Sequence, residues 1–326
     1  MPRWLSAAFK IVLTIGVLAA LVLAVELDAL VASLQNARWT WVAGALLFLP
    51  VNLALDAWVW RQLLRSVTER VPLHTLVGAL LSGLALGFWT PARAGEYAGR
   101  SFYLPEGDRW SISLTVFAQR MVDMAVGVNA GLLAIAWAFW AGVLPLSAPW
   151  LSASAIGLGT GLVLTGFVVA PARIHQFTAW LVPSHSSITE RTTLFQRLTK
   201  RQGLVIVSGS LARYVVFTGQ FVLLGLALAP SANLIQLAGA AGLTFYVKYL
   251  IPSLTMLDLG IREGGAALFF QQLELGAATG VNAALLLFAI NVLLPALLGV
   301  PFVTRLRFAG DPEAVDTHSP ASVPGS

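Results

Sequence analysis

Apolar residues in this chain fall in long, nearly unbroken runs rather than at the spacing of an amphipathic surface helix. Ile11 to Val25, Trp39 to Trp60, Leu73 to Phe88, Ser111 to Trp140, Trp150 to Ala170, Leu204 to Leu228, Leu234 to Leu250 and Val281 to Val303 are dominated by Leu, Val, Ala, Ile and Phe, and most charges collect between them. Several runs reach about 20 residues, enough to cross a hydrocarbon core as helix. The alternation of a membrane β-barrel is not seen. The pattern predicts an all-α polytopic membrane protein. Leu73 to Phe88 and Gly264 to Gly276 are short for spans.

The first run follows Arg3 and Lys10 and has an apolar core of about 15 residues, the length of a signal peptide core. Val25-Glu26-Leu27-Asp28 is a poor cleavage context, so an uncleaved helix near Ala7 to Val25 is expected, then a short amphipathic link from Glu26 to Arg38. Trp39, Trp41, Trp58 and Trp60 sit near the ends of the next run, where indole rings favour the membrane interface.

Composition sharpens this picture. The 326 residues are 57% hydrophobic and 11% charged, with mean hydropathy +0.79. Soluble proteins carry roughly 25% charged residues, so lipid is the solvent for most of this chain. The net charge of +5 reads as orientation and attraction to anionic lipid, not as nucleic-acid binding. There is no cysteine, and the four histidines lack metal-ligand spacing. Nucleotide loops, nucleophile elbows and HExxH are missing too, so neither a cofactor nor an enzymatic activity is expected.

Charge placement then constrains topology. Arg173, Arg191, Arg197, Lys200 and Arg201 stand between Pro171 and Gly203 against Glu190 alone. If Leu73 to Phe88 crossed fully, this basic loop would face outside, against the positive-inside rule. If Leu73 to Gly99 dips in and returns, the basic stretches 61–70, 173–201 and 305–307 all face the cytoplasm. The uncharged loops 141–149 and 229–233 then face outside. The same rule makes Leu234 to Glu263 a dip from the outer side. The expectation is two inverted-repeat halves, each with a re-entrant helical hairpin, and both termini in the cytoplasm. The transmembrane domain would span residues 1–308, with a disordered polar tail at 309–326.

The two dips carry the candidate chemistry. In the first, Pro91 and Gly95 suit a helix break, and Arg93, Glu96 and Arg100 are spaced to share one face if helix restarts near Arg93. Arg120 and Asp123 form a second same-face pair. In the second dip, Pro252 and Gly260 precede Arg262 and Glu263, which are adjacent, so one of the two is expected to pair with another segment. Guanidinium groups grip two phosphate oxygens at once, so Arg93, Arg100, Arg120 and Arg262 suit a charged headgroup, with Glu96 and Glu263 orienting them or meeting a cation. Asn52 and Asp56, four apart, either bond neighbouring helices or line a polar cavity.

These motifs carry a family resemblance. Pro91-Ala92-Arg93-Ala94-Gly95-Glu96, then Arg120-Met121-Val122-Asp123, with Pro252, Gly260 and Arg262-Glu263 in the second half, resemble the transmembrane region of lysylphosphatidylglycerol synthases, a flippase-like family, over about residues 5–305. Asn291 stands where such proteins often have an arginine in the last helix, and Asp258 where small residues are common. The resemblance implies a cell-membrane protein that moves an anionic phospholipid or a polyprenyl-phosphate-linked cargo between leaflets. It also implies possible partnership with a lipid synthetase or a glycosyltransferase. The alternative is a non-transporting partner that positions such an enzyme. The synthetase domain of the two-part relatives is not in this sequence, so aminoacyl transfer is not carried over.

Overall fold

The computed structural model describes residues 27–68, 71–90, 93–104, 107–169, 199–251 and 260–306. The expected first helix, Pro91, most of the basic loop, Pro252, Asp258 and the tail lie outside the described residues. Within them, regular structure is entirely helical: α1 Leu27–Gln35, α2 Trp39–Leu64, α3 Leu73–Trp89, α4 Ala94–Tyr103, α5 Arg109–Trp140, α6 Ala148–Val169, α7 Lys200–Leu228, α8 Leu234–Leu250, α9 Ile261–Gln272 and α10 Ala277–Phe288. A π turn, Ala289–Leu293, joins α10 to α11, Leu294–Val303. Five stretches are long and apolar enough to cross a membrane: Trp39–Leu64, Arg109–Trp140, Ala148–Gly166, Lys200–Leu228 and Ala277–Val303. Their outward residues include Leu47, Leu133, Leu162 and Val215, all exposed, as lipid-facing surfaces require.

Chain direction can be followed through close contacts. The Arg38 N–H, just before α2, donates to the Ala227 carbonyl near the end of α7 at 2.7 Å, so α2 and α7 run antiparallel. Gly127 and Gly131 of α5 back onto Tyr249 and Tyr246, and Gly239 of α8 backs onto Trp137. Numbers rise on α5 as they fall on α8, so these two are antiparallel as well. The start of α2, the end of α5 and the α7–α8 turn therefore share one end of the bundle.

The short helices form two pairs. Gly78 backs onto Tyr103, Gly83 onto Gly99, and Gly87 onto Glu96, again with opposed numbering, so α4 returns antiparallel along α3. A side chain at Gly99 would strike the Gly83 backbone, and one at Gly83 would strike Arg100 Cγ and crowd the Glu96 carbonyl, so both positions favour glycine. Ser82 Oγ ties the pair by donating to the Gly99 carbonyl at 3.0 Å. At 1.5 Å per residue, the 17 residues of α3 span about 25 Å, short of a roughly 30 Å hydrocarbon core. The second pair is α8, also 17 residues, with α9 packed against it. Phe269, late in α9, meets Trp150 at the start of α6 with ring centroids 5.7 Å apart, so α9 finishes at the end where α8 began. The two pairs thus start from opposite ends of the bundle.

The two largest of four apolar clusters among the described residues hold the arrangement. Phe221, Phe245 and Phe270 stack between α7, α8 and α9, with Phe221 centroids 5.4 and 5.7 Å from the other two. Trp60, Leu76, Leu80, Ile112 and Val116 bury the contact of α2, α3 and α5. The π turn has a cause in sequence. Pro295 has no N–H to offer the Asn291 carbonyl four residues back, and its ring crowds that carbonyl. The ladder shifts register, and the Leu294 N–H reaches the Ala289 carbonyl instead.

Candidate functional site

Arg93 stands just before α4, as its cap residue, and holds a left-handed backbone at φ 57°. Thr90 Oγ1 accepts the Gly95 N–H at 2.6 Å and closes the turn. Gly95 is required there because the Leu86 carbonyl occupies the space of a side chain. This entry puts Glu96 in the first turn of α4, facing back across α3. The Glu96 carboxylate receives Arg100 at 2.6 Å, Arg93 at 3.5 Å and, in a short contact, Arg120 of α5. Arg93, Glu96 and Arg100 therefore do share one face.

The network continues across the bundle. Arg100 also donates to Gln119 at 3.0 Å, approaches Asp56 at 3.4 Å, and lies 5.0 Å from the Trp60 ring centre. Asp56 accepts from Gln119 at 2.6 Å and is ion-paired with Arg213 of α7 at 3.3 Å. Arg213 bridges further, to Asp123 at 2.5 Å and to Asn52 at 3.2 Å, while Arg120 meets Asp123 at 3.5 Å. Asn52 donates to Asn291 in the π turn at 2.7 Å. Charges in a low-dielectric interior survive only when paired, and here each of these carboxylates meets at least two guanidinium groups.

The second pair of helices carries a smaller cluster. Gly260 precedes α9 at φ 106°, and its N–H donates to Glu263 at 2.7 Å. Arg262 contacts Glu263 at 2.5 Å and lies 5.7 Å from the Phe288 ring centre. This corrects the expectation that adjacency would send one of them to another segment. Glu263 turns back to cap its own helix, and the long Arg262 side chain curls round the helix start to reach it.

A cavity of about 210 Å³ opens between these elements. Arg93, Arg120, Arg213, Lys248 and Arg262 are its cations; Asp56 and Asp123 are its carboxylates. Asn52, Asn291, Ser210, Tyr214 and Tyr249 add polar groups, and Leu53, Leu84, Phe217 and Val292 an apolar side. Of the residues expected from sequence, Arg93, Arg120, Asp123 and Arg262 reach the wall. Glu96, Arg100 and Glu263 are almost fully buried behind it and hold the wall residues in position. Asn52 and Asp56 line the cavity and also bond neighbouring helices, so both readings given for them describe what the structure has. Arg213, Ser210 and Tyr249 were not anticipated. A lone arginine inside the run Leu204 to Leu228 is the signal that could have found the first.

Long apolar helices around a buried, charge-lined cavity define a multi-pass membrane protein with a polar site in its interior. The sequence matches the family model of the lysylphosphatidylglycerol synthase TM region over residues 7–299, and the chain belongs to that family. No curated protein matches it.

Proposed function

We propose that this protein translocates the headgroup of a phospholipid or lipid-linked molecule between leaflets of the cytoplasmic membrane, through the cavity between its two short helix pairs. In this reading the pairs α3–α4 and α8–α9 are re-entrant hairpins of two inverted-repeat halves, and both termini face the cytoplasm. The reading is supported by their opposite starting ends and by their length, which is short for a bilayer. The observation that carries the function is the cavity itself, a wall of five cations and two carboxylates amid apolar helices. Ionisable groups at such depth are costly and are retained where a polar solute passes. No catalytic role is assigned to any residue.

The test is leaflet exchange of fluorescent lipids by the purified chain in liposomes, comparing it with Glu96→Gln and Arg120→Gln. Exchange that these substitutions abolish in folded protein supports translocation. Because every carboxylate in the network is already paired within the protein, the network also suits a static tie. Absence of exchange for any cargo, with or without a proton gradient, would assign the protein to positioning a lipid-modifying enzyme or a glycosyltransferase.

A further inference from the structure

The last span is shared between the two short helix pairs. Its first half, α10, is held by the second pair. A side chain at Gly280 would strike the Ala266 carbonyl of α9, so α10 and α9 lie backbone to backbone. Its second half, α11, is held by the first pair. A side chain at Gly299 would strike the Leu81 carbonyl of α3, and the Phe302 ring lies 6.3 Å from that of Tyr103 on α4. Each pair is itself closely joined, the first through Gly83 and Gly99, the second through Gly265, which faces Thr244. Close-packed contacts of this kind, with little side chain between the helices, leave them no slack to slide.

The joint between the two halves is the π turn, Ala289–Leu293. Of its five residues Ile290 is buried and the other four are half-buried. Pro295 has already broken the helical ladder there, so bending at the turn forfeits fewer hydrogen bonds than bending elsewhere in the span. Next to the joint, the ring of Phe88 near the end of α3 lies 6.3 Å from that of Phe288 at the end of α10, so the two bodies touch at this point.

The joint sits at the cavity, whose wall includes Asn291 and Val292. Leu84 and Arg93 of the same wall stand on the first pair, and Lys248, Tyr249 and Arg262 on the second. Rotation at the turn therefore changes the width of the cavity. A π turn is a recurrent feature of functional sites in helices, and here it stands where two rigid bodies meet a polar space.

We propose that the π turn is a hinge about which α3, α4 and α11 swing as one body against α8, α9 and α10, widening and narrowing the cavity between them. The purpose of the opening rests on the proposed passage of a headgroup; the motion itself does not.

Pulsed electron spin resonance on the cysteine-free chain in liposomes tests this. Spin-labelled cysteines at exposed sites give one distance within each body, Leu73 to Leu297 and Ile251 to Leu268, and one across the joint, Leu268 to Leu297. The distances within each body are expected to stay single and narrow, and the one across the joint to fall into two populations. Pro295→Ala returns the N–H that a continuous helix needs, and is expected to merge the two populations into one. Leaflet exchange of fluorescent lipid is read on the same liposomes. A single narrow distance across the joint in the parent chain would overturn the hinge, whatever Pro295→Ala does. So would distances within a body that split in the same way. Two populations persisting in Pro295→Ala, in protein whose melting temperature matches the parent chain, would overturn it too. Two populations without any leaflet exchange would uphold the hinge while removing transport; exchange with one narrow distance across the joint would do the reverse.

Discussion

Asn52 on α2 donates a 2.7 Å hydrogen bond to Asn291 in the π turn, joining two positions 239 residues apart in the chain. The contact is the point at which the charged network of the first half reaches the broken last span. Asn52 also accepts from Arg213, so one amide couples three elements. Replacing Asn291 with Ala should cost about 1 kcal/mol of stability, the usual net worth of one hydrogen bond. It should also alter lipid exchange, because Asn291 lines the cavity. Melting curves and exchange rates on the same preparation check both.

Arg213 holds Asp56 and Asp123 at once. Arg213→Gln leaves the two carboxylates short of a partner, and loss of one member of a buried pair costs about 3–5 kcal/mol. Asp123→Asn in the same background should restore part of that loss. A double-mutant cycle on unfolding in mild detergent should give a coupling of about 1–3 kcal/mol; additive losses would mean that the two groups do not interact.

The α3–α4 contact gives a pair of substitutions with opposite outcomes. Gly99→Val forces a branched side chain onto the Gly83 backbone and should destabilise the protein by about 1–3 kcal/mol or prevent its accumulation. At Gly159 of α6 nothing lies within 4 Å of a new side chain. Gly159→Ala should therefore be neutral or stabilising by up to about 1 kcal/mol, from helix propensity alone. Thermal stability of the two purified variants decides the comparison.

The absence of native cysteine allows topology to be read directly. Single cysteines in place of Ser147 and Ser231 should label from outside intact cells with an impermeant thiol reagent, and a cysteine at Ser187 should not. Labelling of the Ser187 position from outside would place the basic loop on the wrong side for two re-entrant hairpins.

Much of this was legible from the chain. Apolar runs gave the long helices because lipid-facing helices need no polar stripe. Arg93, Glu96 and Arg100 gave a shared face because helical spacing leaves little choice once α4 starts just after Arg93. Other features depend on distant contacts. Nothing near Arg213 indicates that it will bridge α2 and α5, since its partners Asn52 and Asp123 lie 161 and 90 residues earlier. Arg262 and Glu263 misled because spacing rules describe where side chains leave a helix, not how far a flexible arginine curls back at its first turn. Pro295 could have revealed the π turn, since it withholds the N–H that Asn291 would otherwise bond.

The span from Asn52 to Arg213 also has a meaning in time. A ribosome makes α2, with Asn52 and Asp56, long before it makes Arg213, 161 residues after Asn52. Arg100, which also meets Asp56, follows it by only 44 residues. A carboxylate at the centre of an inserting helix costs about 2.5–3.5 kcal/mol, which the Leu, Val, Ala and Trp residues around Asp56 must outweigh alone at first. Until α7 enters the bilayer, the newborn protein carries an unfinished ionic lock, and its early helices wait beside one another for the key.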